Sequence, residues 1–138
     1  MIDLNVKGFT NCIGAILEGM VQRKSGHIVN LSSDAGRKGF PGLAVYSGTK
    51  FYVEGLSQAL RQEVCGLGIR VTNLQPGDVR TELFIHTTDK EAQDAYDGSQ
   101  KCKILEPEDI ANAVLYAVTQ PEYVGVHEIL IEPREAPL

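Results

Sequence analysis

Apolar side chains recur every three to four residues at Leu4, Val6, Phe9, Ile13, Ile16, Leu17 and Met20. That spacing predicts a helix over residues 4–23 with one apolar face, stopped by Ser25-Gly26. Residues 27–31 form a short apolar run that reads as a strand too deeply buried to alternate. A second helix is predicted over residues 43–65, with apolar positions that include Phe51, Val53, Leu56, Leu60 and Val64 and with Gly66-Leu67-Gly68 as its end. Residues 69–74 are a second strand, closed by Pro76-Gly77. From residue 80 to about 104 the pattern turns polar and irregular, with one short helical candidate over residues 90–96. A stretch of that length without periodicity predicts a mobile lid. Pro107 opens a third helix, with Glu108 and Asp109 favourable against its N-terminal dipole, that carries Ile110, Val114, Leu115 and Val118. Residues 126–131 are the last strand, and 133–138 a tail.

Helices between successive strands imply parallel pairing through right-handed crossovers. The expected fold is therefore α/β, a doubly wound arrangement with three parallel strands and helices on both faces, in one unit over residues 1–138. The balance of 13 basic and 18 acidic residues offers no electrostatic footprint for nucleic acid. Three widely spaced cysteines, Cys12, Cys65 and Cys102, fit free thiols in a reducing cytoplasm better than disulfides. No segment approaches the roughly 20 apolar residues that span a bilayer. His27, His86 and His127 are scattered, without a cysteine or carboxylate pair at ligand spacing, so no metal is expected.

The chemistry concentrates between Ser32 and Lys50. Ser32 and Ser33 follow the first strand, at the carboxyl edge where open α/β sheets collect ligands. Tyr46 and Lys50, four apart, share one helix face. A hydroxyl, a phenol and an ammonium brought together can move a proton. The ammonium is expected to favour the phenolate and lower the tyrosine pKa from about 10 toward neutrality, making Tyr46 a general acid–base.

At these residues the chain resembles the short-chain dehydrogenase/reductases. Asn30-Leu31-Ser32-Ser33-Asp34-Ala35-Gly36, followed by Tyr46-Ser47-Gly48-Thr49-Lys50, is similar to their active-site region. Ser33, thirteen positions before Tyr46, matches the family's catalytic serine. Asn5 matches the asparagine of its catalytic tetrad, and Gln75-Pro76-Gly77-Asp78-Val79-Arg80-Thr81 its nicotinamide loop. The resemblance implies reversible, nicotinamide-dependent interconversion of an alcohol and a carbonyl compound. In it Tyr46 exchanges the proton, and Lys50 lowers its pKa and holds the nicotinamide ribose. Ser33 polarises the substrate oxygen, and Asn5 supports a proton relay. Pro76, Gly77, Val79 and Thr81, with Asn5, Tyr46 and Lys50, are the implied cofactor contacts. NADP is the implied cofactor, with NAD possible. The pattern 105–111, Leu-Glu-Pro-Glu-Asp-Ile-Ala, is similar to the branch of NADP-dependent 3-hydroxy acid dehydrogenases and carbonyl reductases.

A dinucleotide-binding domain of this kind begins with a strand, a glycine-rich turn and a helix N-terminus that holds the pyrophosphate. Gly36, Gly39 and Gly42 have the wrong spacing for that turn and lie in the active-site loop. The chain thus reads as the C-terminal half of a Rossmann-like domain, without its N-terminal glycine-rich half and inactive alone. The resemblance also implies a homo-oligomer through helices 4–23 and 43–65. The rival expectation is a truncated, non-catalytic product that pairs with full-length subunits through those helices.

Overall fold

The structure, a computed structural model, describes residues 1–83, 88, 90–95 and 102–136. The chain opens with a π-helical turn, Asp3–Gly8, which runs on into α1, Phe9–Arg23. The expected stop at Ser25-Gly26 comes slightly earlier. Lys24 takes left-handed backbone, φ 52°, and the Ser25 N–H reaches back to the Met20 carbonyl at 3.3 Å. That turn is the one glycine usually makes at a helix end, so a lysine hides it from sequence reasoning.

The remaining elements are β1 (Gly26–Leu31), α2 (Ala44–Val64), β2 (Ile69–Pro76), α3 (Lys90–Ala95), α4 (Pro107–Thr119) and β3 (Glu128–Ile131). Tyr96, which closes the helical candidate 90–96, lies outside the described residues, as does much of the expected lid. The three strands form one parallel sheet in the order β1-β2-β3. Gly26 stands opposite Ile69 and Leu31 opposite Leu74, while Asn73 to Pro76 pair with Glu128 to Ile131. β3 starts later than residue 126 because the preceding carbonyls serve β2 differently. Val126 accepts from the Thr72 hydroxyl, and His127 accepts from the Asn73 N–H at 2.9 Å.

β2, the middle strand, is the one buried on both faces, with residues 71–75 all at most 1% exposed. β1 departs from expectation. It is an edge strand that alternates, burying Ile28 and Asn30 while Leu31 stays 56% exposed. One sheet face carries the main core, in which Ile13 of α1 and Leu60 and Val64 of α2 meet Ile28, Ile69 and Val71. Each such side chain contributes about 1.5–3 kcal/mol when fully buried. Because strand residues alternate, Leu74 faces the other way, the side on which α4 packs against β2 with Ala117 fully buried. Layers on both sides leave the strands' carboxyl ends open as a shelf.

Candidate active site

β1 ends at Leu31, and the chain is held at the sheet edge by a hydrogen bond from the Ser32 N–H to the Leu74 carbonyl, 2.8 Å. Ser33 then caps the short turn Asp34–Gly36. Its hydroxyl accepts from the Ala35 N–H at 3.1 Å and donates to Asp34 Oδ1 at 2.8 Å. Gly36 lets this loop touch α2. A Cβ there would fall 2.8 Å from Ser32 Oγ, 3.0 Å from Glu54 Cγ and 3.1 Å from the Lys50 carbonyl. The absent side chain sets how closely Ser33 approaches the helix that bears Tyr46 and Lys50.

Tyr46 sits in the first turn of α2 and Lys50 one turn on, with Lys50 Nζ 5.5 Å from the Tyr46 ring centroid. The ammonium donates to the Leu31 carbonyl at 3.1 Å, tying α2 to the end of β1. Asn5, in the π-helical turn, donates from Nδ2 to Thr49 Oγ1 at 3.2 Å, and Thr49 donates to the Tyr46 carbonyl at 2.7 Å. Asn5 therefore reaches the catalytic helix through Thr49. Single π turns inside helices are frequent at functional sites.

From β2 the loop over Pro76, Gly77, Val79 and Thr81 crosses the same shelf. Its base is clamped: Gly77 N–H bonds the Ile131 carbonyl at 2.8 Å, and Val79 bridges to Leu105. Arg80 pairs with Glu106 at 3.1 Å, while Glu106 and Asp109 form a reciprocal capping box on α4. Thr81 accepts from the Leu83 N–H at 3.3 Å. Ser33 and Tyr46 share with this loop a cavity of about 660 Å³, walled on its far side by Ile110 and Val114 of α4. Asn5 and Lys50 stand behind Tyr46 and do not line it.

The electrostatics correct one expectation. Burial pushes the Tyr46 phenol above its ordinary pKa; the neighbouring Ser33 hydroxyl opposes the shift and the Asp34 carboxylate adds to it. Lys50 does not lower it here. Its ammonium lies against the ring and points to a carbonyl. Burial lowers the pKa of Lys50 itself, an effect that Glu54 resists. Desolvation outweighs the attraction that spacing alone foretold.

Two carboxylates that sequence reasoning passed over belong to this site. Asp34 holds the catalytic-position serine. Glu54 is buried, and its Oε2 accepts from Asn73 Nδ2 at 3.0 Å and Gln75 Nε2 at 2.9 Å, joining α2 to β2. The signal for Glu54 was its place four residues after Lys50, on the same helix face. Among the described residues there is no cluster of three histidine, cysteine or carboxylate ligands for a metal, and no helix long and apolar enough to cross a membrane.

The described residues form a parallel α/β sheet with a serine, a tyrosine and a lysine gathered at its carboxyl edge. The short chain dehydrogenase family matches residues 1–92, and the chain belongs to that family. It is 51% identical over 137 residues to the glycine betaine reductase of Emericella nidulans, covering 99% of this chain and 11% of that protein. An uncharacterized oxidoreductase of Staphylococcus saprophyticus is 46% identical over 140 residues, covering all of this chain and 56% of its own. Among solved structures, the closed form of a serine dehydrogenase complexed with NADP+ superposes with a TM-score of 0.88 at 34% identity, over 100% of this chain and 56% of the other. The chain spans about half the length of the bacterial relatives it matches.

Proposed function

We propose that this chain carries the proton-transfer half of an NAD(P)-dependent oxidoreductase that interconverts an alcohol and a carbonyl compound. The observation that carries this reading is the shared cavity, in which Ser33 and Tyr46 face the loop Pro76–Thr81. Tyr46 gives its proton to a carbonyl oxygen in reduction and takes one from an alcohol in oxidation. Ser33 hydrogen-bonds that oxygen, its hydroxyl free to rotate away from Asp34. Lys50 stands behind Tyr46, and Asn5 fixes the first turn of α2 through Thr49.

The nicotinamide supplies or accepts the hydride when bound. Pro76, Gly77, Val79 and Thr81 are the residues that would hold its ring end, and Lys50 its ribose; the apolar, clamped wall fits a flat ring. NADP is favoured, as in the serine dehydrogenase complex, with NAD as the second possibility. The substrate is a small alcohol or carbonyl compound, with a 3-hydroxy acid as the finer proposal, since serine is one. Serine and glycine betaine both carry a cationic nitrogen on the carbon next to the oxygen-bearing carbon.

Residues 1–138 make up the C-terminal part of the catalytic domain, completed by a glycine-rich half. Pairing of subunits runs through α1, with the π-helical turn before it, and α2, whose outer faces expose Leu4, Ile16, Val45 and Phe51, and the cytoplasm is the proposed compartment. In the complete enzyme, Tyr46→Phe should lower turnover by at least about 10²-fold with NADPH binding nearly unchanged. Lys50→Met should weaken both. Turnover near wild type in Tyr46→Phe would remove this residue from the mechanism.

A further inference from the structure

Asp34 stands on the cavity wall immediately beside the reacting groups, and all its side-chain hydrogen bonds fall on one oxygen. Oδ1 accepts from the Ser33 hydroxyl at 2.8 Å and from the Ala35 N–H at 2.7 Å. Among the described residues no cation pairs with it. Lys38, the basic side chain on the same wall, has its ammonium 5.8 Å from the Phe40 ring centroid and makes no ion pair with that carboxylate. Asp78 also lines the cavity.

A half-buried carboxylate without a counter-ion among the described residues, on the wall of a cavity, is electrostatically incomplete. We propose that Asp34 is the docking point for a cationic nitrogen of the substrate, carried within one carbon of the carbon that reacts. This rests on the proton-transfer role given above to Ser33 and Tyr46. Distance sets the position of the nitrogen. Ser33 Oγ would lie one hydrogen bond, about 2.8 Å, from the substrate oxygen, and it lies 2.8 Å from Asp34 Oδ1. A nitrogen on the neighbouring carbon closes that cycle, whereas one several carbons away overshoots it. The charge also serves the chemistry. With no cation present, Asp34 opposes ionisation of Tyr46. An ammonium seated on Asp34 offsets that repulsion only when the right substrate is in place, a source of discrimination beyond binding alone.

The test compares oxidation of 1-amino-2-propanol with that of its neutral isostere 2-butanol by the complete enzyme with NADP, in wild type and Asp34→Asn. The amide keeps the Oδ1 acceptor for Ser33 and Ala35 and removes only the charge. The ratio of the two kcat/KM values within one preparation cancels any loss of folded protein. A wild-type preference for the cation of at least about tenfold, falling to about one in Asp34→Asn, supports the proposal. Equal use of both alcohols by wild type, or a preference that survives in Asp34→Asn, overturns it and leaves the hydride-transfer reading standing. If neither alcohol is oxidised, that reading is in difficulty, and ligand-observed NMR with 1-amino-2-propanol decides this one. Saturable binding lost in Asp34→Asn supports it, and no binding to wild type overturns it.

Discussion

On the proposed mechanism, Tyr46 enters the reaction as a neutral phenol. Its pKa is raised by burial, with Asp34 adding and Ser33 opposing, so at neutral pH the group is poised to donate a proton. Reduction of a carbonyl needs that form, and oxidation needs the phenolate. In the absence of substrate, tyrosinate absorbance of wild type minus Tyr46→Phe should show this residue ionising above the ordinary value of about 10. Oxidation of an alcohol should correspondingly quicken as pH rises, while reduction does not. A titration well below that ordinary value would mean that Lys50 reaches the phenol oxygen after all. Folding responds with the same sign. The buried phenol keeps its proton where the unfolded chain loses one, so stability conferred by this group is full below about pH 10 and falls above it.

At the scale of elements, the contact that fixes the catalytic helix is the pair of hydrogen bonds from Asn73 and Gln75 to Glu54. Glu54→Ala would leave two buried amides without an acceptor, a loss of about 2–4 kcal/mol. Glu54→Gln keeps an oxygen there and should lose less. Urea midpoints of the complete enzyme measure the difference, and equal midpoints for wild type and Glu54→Ala would deny the bridge. Neither this bridge nor the π turn under Asn5 was legible in the sequence. Helices and strands were, because an apolar stripe repeating every three to four residues reports burial of one face directly. Ser33, Tyr46, Lys50 and the Pro76–Thr81 loop were readable because their spacing is tied to the backbone that carries them. The lowered Tyr46 pKa was expected from one neighbour, whereas the observed direction is a sum over everything packed around the ring. β1 was read as deeply buried because three of the residues 28–31, Ile28, Val29 and Leu31, are apolar, while its exposure depends on what pairs beside it.

At the scale of the whole molecule, the outer edge of β1 has no strand beside it among the described residues, and a groove lined by Phe9, Ile13 and Ile16 of α1 runs along it. Among the described residues no glycine-rich strand-to-helix turn supplies backbone donors for a pyrophosphate. The 138-residue chain alone should therefore show no micromolar binding of NADPH by calorimetry, and its open edge should promote self-association at rising concentration. Tight binding by the isolated chain would reveal a phosphate site elsewhere. The clamp between Val79 and Leu105, reinforced by Arg80 and Glu106, has a different outcome. The chain leaves the sheet and returns to it through one fastened gate, so the ends of the intervening sequence are already closed. Doubling its length costs only about 0.6 kcal/mol in closure entropy. Insertions and deletions between Arg80 and Glu106 should therefore leave the three strands, Tyr46 and α4 in their places, which makes this part of the sequence the point at which the scaffold tolerates a change of length without being refolded.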